Sequence, residues 1–214
     1  MDKPEKIIPH QRVGGKSSTK YSIRTKTLED AKRIFLNAKE NLINVNRWHS
    51  LAGTLSASFQ LTDENGNEIE GEVRRGNYFR IGMPAVPGNP EGKGYDWVRV
   101  EEVEEQSADE FEWTAIRVRP IESPIPDTPS STAHFFTSEA SSSFCIQRKF
   151  NRVTASVFGR NEKPNVSADG FFAKIRNAII GVAAILGMSK TQWGSLVKGI
   201  IENANSRAHN HGES

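Results

Sequence analysis

The stretch "NVNRWHSLAGTLSASFQLT", Asn44 to Thr62, is where one periodicity ends and another begins. Ahead of it, Leu28, Ala31, Phe35, Ala38, Leu42 and Val45 recur at steps of three and four, which lays an apolar stripe along a helix of about four to five turns. Thr27 stands as its N-cap, with Asp30 three residues on in a short version of the capping box. Glu29, Lys32, Arg33, Lys39 and Glu40 take the opposite, solvated face. Inside the stretch the step changes to two: Leu55, Ala57, Phe59 and Leu61 alternate with Ser56, Ser58, Gln60 and Thr62. A one-striped helix followed by a one-faced strand implies a helix lying on a sheet.

The same alternation continues toward the C-terminus. "DENGNE" is a turn with Asn65-Gly66 at its tip, and "IEGEV" is expected to return as the second strand of a hairpin. "NYFRIGM" offers Phe79, Ile81 and Met83 on one face. After the loop "PAVPGNPEGKG" come "YDWVRVEEV", "FEWTAIRVRP", "AHFFTSE", "SSFCIQRKF" and "RVTASVF". In "FEWTAIRV" the apolar positions Phe111, Trp113 and Ala115 give way to Ile116 and Val118, a change of parity that predicts a bulge and a curved sheet. The last third returns to a helical period. Ser167 caps a helix with Phe171, Ile175, Ala178, Ile179, Val182 and Leu186 on one face. Gly187 is expected to end it, and Ser189 to start a second helix with Trp193, Leu196, Val197, Ile200 and Ile201 inward. The apolar run Ala178–Met188 is shorter than the roughly 20 residues that span a bilayer, so no membrane span is expected.

The expected fold is therefore α+β: a curved antiparallel sheet of about six to eight strands, an N-terminal helix and packed C-terminal helices. Residues 1–20, with proline, Gly-Gly and Ser-Ser-Thr, read as a flexible arm; 21–204 form one domain, opening on the strand "YSIRT"; and 205–214 are a disordered tail. The N-terminus lacks the uninterrupted apolar core of a signal peptide, and a cytoplasmic location is expected. With 28 basic and 26 acidic residues the chain is near balance, so no nucleic-acid partner is expected. The single cysteine, Cys145, excludes an internal disulfide and sits in a strand pattern as a quiet thiol. A homo-oligomer stays open.

The order of "YSIRT", the first helix, the corner "VNRWHSLAG", the hairpin "TLSASFQLTDENGNEIEGEV", the glycine-led "RRGNYFRIGM" and the final helices resembles the helix-grip arrangement of the START and polyketide-cyclase superfamily. The resemblance implies an apolar pocket between sheet and C-terminal helix that takes lipids, polyketides or other small apolar molecules. It does not imply catalysis.

At the mouth of such a pocket Trp48 could stack on a ligand and His49 could hydrogen-bond it or move a proton. The plainer account is that Trp48 closes the core under the helix and His49 faces water. Phe59, Phe79, Trp97 and Trp113 are candidates to line the concave sheet, and Phe171 and Ile175 to face them from the helix. The five histidines hold one close pair, in the tail "HNH", so no metal and no cofactor is expected. The acidic run "EEVEEQSADEFE" lacks the EF-hand spacing, "SEASSSF" lacks a nucleophile elbow, and the glycine clusters lack the order of a phosphate loop. Arg74, Arg75, Arg80, Arg99, Arg117 and Arg119 could form an anion-binding row on the concave side; cross-strand pairing with Glu70, Glu72, Glu101 or Glu102 on a wet face is simpler. The leading functional expectation is a non-catalytic binder of a small apolar or amphipathic ligand. The alternatives are an interaction scaffold with a filled core, exposing the Trp193 helix or a sheet edge, and a cyclase- or isomerase-like enzyme.

Overall fold

The computed structural model describes residues 6–53, 57–82, 95–125, 136–163 and 180–210, with side chains of the last segment described from 191 on. Seven strands form one curved antiparallel sheet: β1 (Gly15–Arg24), β2 (Ser58–Thr62), β3 (Tyr78–Gly82), β4 (Asp96–Ala108), β5 (Phe111–Ile121), β6 (Ser141–Lys149) and β7 (Arg152–Glu162), in the order β1-β7-β6-β5-β4-β3-β2. Helix α1 (Leu28–Ile43), a 3-10 turn (Val45–Arg47), the short α2 (Trp48–Ala52) and the long α3 (Ile180–Asn210) complete the α+β helix-grip architecture.

Alternation decides which face is buried. Phe79, Val98, Val100, Ile116, Val118, Phe144 and Ile146 point toward the helices, where they meet Ala31, Ile34, Phe35, Ala38 and Leu42 of α1 and Leu196, Val197, Ile200, Ile201 and Ala204 of α3. Thr27 caps α1 as its position predicts: its Oγ1 accepts from the Asp30 backbone N–H at 3.1 Å. Leu28, expected in the stripe, is 41% exposed. Between the two helices, the buried Asn41 amide donates to Ile200 O and Asn203 Oδ1. Gly199 lies where α3 crosses α2; a Cβ there would stand 1.8 Å from Leu51 O, a backbone atom that cannot step aside.

Several expectations are corrected. "IEGEV" forms no strand: the hairpin closes at a single bridge just before it, Thr62 to Glu68, and at Ile69 N–H donating to Leu61 O at 3.0 Å, and β2 pairs instead with β3. The backbone of that segment is used elsewhere: Val73 N–H donates to Ile43 O at the end of α1. The described part of "AHFFTSE" turns rather than extends, with Ala140 N–H donating to Thr137 O. Helix α3 runs unbroken through Gly187, Met188 and Ser189 and on to Asn210, past the expected tail boundary. A glycine costs a helix interior about 1 kcal/mol, and the continuous buried face from Leu196 to Ala208 outweighs that.

The bulge lies on β4, where pairing with β5 shifts between Val100 and Glu102; β5 itself runs in unbroken register with β6. The parity change in β5 has another cause. Phe111, Trp113 and Ala115 face outward with Cys145, and the N-terminal segment covers them through Ile7, which is fully buried. Both faces of β5 are thus apolar at different heights.

The expected arm is accordingly held down. Gly15–Lys20 form the first half of β1 against β7. Asn161, in the left-handed region at φ 55°, accepts from the backbone N–H groups of Arg12 and Val13 at 2.7 and 3.2 Å. Next to it Glu162 is 8% exposed, and Ser17 Oγ donates to its Oε1 at 2.9 Å. Burial raises the Glu162 carboxyl above its ordinary value, against the pull of the Ser17 hydroxyl and of Arg160. Ionising it therefore costs folding free energy. The cost is absent below the ordinary carboxylate range, appears as pH rises toward the folded value, and is constant above it. Glu162→Gln is expected to raise the thermal midpoint at pH 7.5 by a few degrees at most, at about 2–4 °C per kcal/mol for a chain of this size. The same comparison at pH 4 should show the difference gone; an unchanged difference would contradict the assignment.

Candidate functional site

The Trp48 corner is built from the end of α1. A helix leaves its last four carbonyls without helical partners, and here each finds one. Counting the C-cap, Asn44 O accepts from Arg47 N–H at 3.1 Å and Ile43 O from Val73 N–H at 2.8 Å. The Trp48 indole N–H lies 3.1 Å from both Asn41 O and Leu42 O. Asn46 ties the corner to the sheet, its Oδ1 accepting from Leu61 N–H at 2.6 Å. Trp48, fully buried, is both helix cap and core residue.

Around its ring the structure assembles an aromatic cluster between the sheet and α3. Phe59 and Phe79 stand edge-on to Trp48 at centroid distances of 5.3 and 5.9 Å, and Phe144 is tilted against it at 4.7 Å. Trp193 of α3 closes the group, 5.1 Å from Phe144 and 6.2 Å from Phe59. Trp193 is partly buried, whereas Phe144 is 2% exposed. Of the candidate lining residues, Trp48, Phe59 and Phe79 are thus brought together in one cluster. Phe144 was missed, although it shares parity with Ile146 in "SSFCIQRKF". Trp193 turns inward onto the cluster, so the exposed face expected of its helix is not formed by that ring.

Trp97 and Trp113 lie elsewhere, on the outer face of the sheet. Trp97 adjoins Val98 in sequence and so points the other way, beside Gly66 and Ile125. Trp113 packs with Ile7, Phe111, Ala115 and Cys145, its indole N–H donating to Gln106 Oε1 at 3.1 Å. The physical reason is strand parity: Trp97 is opposite in phase to Val98 and Val100 on β4, and Trp113 to Ile116 and Val118 on β5. Phe171 and Ile175 lie outside the described residues.

His49 is exposed, and its Nδ1 sits 3.2 Å from Ala57 O. Cys145 is buried, and burial pushes its thiol up to about 12, which leaves it protonated and unreactive at neutral pH. Arg117 and Arg119 share a face, but the outer one, so an arginine row on the concave side is not formed by them. Glu101 accepts from the Nε–H of both, at 2.8 Å from Arg117 and in a short contact with Arg119. Burial raises the Glu101 carboxyl, but Arg119 and Arg117 together hold it below its ordinary value. Glu102 takes the Nη2 of Arg117 at 2.8 Å. Cross-strand pairing thus accounts for these two arginines.

Among the described residues no helix is long and apolar enough to cross a membrane. No family model matches the chain, and no curated protein matches it. Solved structures to which it is similar include a hypothetical protein of Helicobacter pylori, at 15% identity and TM-score 0.48, over 91% of this chain and 92% of that one. An aromatase/cyclase from Streptomyces sp. R1128 matches at 10% identity and TM-score 0.48, over 94% and 100%. A START superfamily protein from Mycobacterium smegmatis matches at 11% identity and TM-score 0.39, over 89% and 99%.

Proposed function

We propose that this protein binds a small apolar or aromatic molecule, without transforming it, at the Trp193 end of the layer between sheet and α3. The observation that carries the reading is the five-ring cluster itself: Trp48, Phe79 and Phe144 are closed off, while Trp193 is left partly open at the rim. Aromatic faces and edges at such a rim offer a ligand ring contacts worth about 0.5–1.5 kcal/mol each beyond burial. The exposed position of His49 supports binding rather than proton transfer.

The test is a titration of the full chain with the neutral apolar fluorophore N-phenyl-1-naphthylamine. Saturable binding is expected, weakened about ten-fold, or ~1.4 kcal/mol, by Trp193→Ala. Trp113→Phe, on the opposite face, should leave it unchanged. Binding that never saturates, or that ignores Trp193→Ala in a folded variant, would remove the proposal. That result would favour a scaffold with a filled core, a reading supported by the complete burial of Trp48 and Phe79.

A further inference from the structure

The outer face carries a second concavity, unrelated to the aromatic cluster, of about 300 Å³. It is lined by Arg75, Arg99, Arg117 and Arg119, with Glu101 and Glu102. Four guanidinium groups face two carboxylates. As described above, Glu101 and Glu102 are consumed by Arg117 and Arg119. Arg119 is further engaged, its Nη1 donating to Ser138 O at 2.8 Å and Glu139 O at 3.1 Å. Arg75 and Arg99 remain: both are exposed, and among the described residues neither has a carboxylate partner. The Tyr78 ring lies 6.0 Å from the Arg99 guanidinium carbon.

The backbone places these two forks deliberately around the bulge. Where β4 steps out of register, the turn Arg74–Asn77 docks on Val100: Gly76 N–H donates to Val100 O, and Val100 N–H to Asn77 O, both at 2.9 Å. The turn is closed by Asn77 N–H to Arg74 O at 3.0 Å and by Asn77 Oδ1 accepting from Arg74 N–H at 2.7 Å. Gly76, at φ +93°, takes the position where such a turn requires the left-handed side of backbone space. Arg75 is thereby carried at the turn's tip to one wall. Arg99 stands on β4 directly opposite Arg119, on the other.

We propose that this pocket is a binding site for a phosphate-class dianion, held by Arg75 and Arg99 over the neutralised Arg117–Glu101–Arg119 floor. Each free fork can give two parallel N–H···O bonds to a phosphate, whose three terminal oxygens can serve both forks at once. The floor is already paired, so it neither repels the anion through Glu101 alone nor competes for it. The volume equals that of about ten waters at ~30 Å³ each. It therefore holds more than a bare phosphate, and the favoured ligand is a small phosphomonoester.

The experiment is isothermal titration of the full chain at constant ionic strength, with inorganic phosphate, glycerol 3-phosphate and succinate as separate probes. The expected result is saturable binding of both phosphates, tighter for the ester, and at least ten-fold weaker in Arg75→Gln and in Arg99→Gln. Arg152→Gln, an exposed arginine remote from the pocket, should bind as the unaltered protein does. Equal weakening in all three variants, or no saturable binding, would overturn the proposal. Succinate binding as tightly as phosphate would overturn the assigned ligand class. Both arginines are exposed, so the variants test the site and not the fold.

Discussion

Trp48→Ala is expected to destabilise the fold by about 3–5 kcal/mol, the range for removing a large aromatic side chain from a packed interior. Two losses combine in it. The first is the space vacated among Phe59, Phe79 and Phe144, whose rings touch Trp48 on three sides. Those rings come from β2, β3 and β6, so they cannot all collapse into one gap. The second is the indole N–H, without which Asn41 O and Leu42 O at the buried end of α1 lose their partner. Trp48→Phe separates the two: it keeps most of the volume and should cost about 1–3 kcal/mol, the penalty of leaving buried acceptors unmet. Urea unfolding of both variants measures this. Near-equal costs for the two substitutions would show that cavity formation contributes little.

The other large effect is expected at Arg148, whose side chain is 1% exposed. Its Nε pairs with Glu112, and its Nη groups donate to Asp109 O at 2.9 Å and Phe150 O at 3.2 Å. One guanidinium thus joins two hairpin turns at the same end of the sheet, between β4 and β5 and between β6 and β7. Phe150 N–H to Glu110 O, at 2.8 Å, is the neighbouring tie. Arg148→Met leaves Glu112 without its counter-charge in a largely buried setting, and should cost about 3–5 kcal/mol. Glu112 keeps some access to water, which argues for the lower end. Adding Glu112→Gln to Arg148→Met removes the uncompensated charge and should restore part of the loss. Chemical denaturation of the single and double variants decides it, and a double variant no more stable than the single one would assign the cost to the turn carbonyls instead.

These two residues show where reading by pattern succeeds and fails. The switch at Asn44–Thr62 identified the helix, the corner and the strand because each rests on local spacing. Thr27 could be recognised as a cap from its neighbours for the same reason. Trp48 was legible as a core residue at a corner, but its second role needed the position of two carbonyls it follows in sequence yet meets only after the chain turns. Arg148 shares the parity of Phe144 and Ile146, so alternation places it on the helix-facing side of β6. A charge there has no local explanation, and only the approach of two distant turns makes its burial tolerable. The parity change in β5 was visible, but its cause was a chain segment more than a hundred residues away laying Ile7 on the outer face. A covering strap and a bulge leave the same mark on a single strand.

The amino-acid pattern alone determined the antiparallel layer, the first helix and the helical character of the last third, because periodicity and caps depend on neighbours a few positions apart; it did not settle "IEGEV" or "AHFFTSE", which it read as strands. Tertiary structure alone decided which side of the sheet each tryptophan occupies, where the bulge falls, and that α3 continues through its glycine. It also brought Arg75 and Arg99 to one pocket while pairing Arg117 and Arg119. Those outcomes turn on register and on contacts between distant segments. A shift of one residue reverses a side chain's face without altering the local pattern.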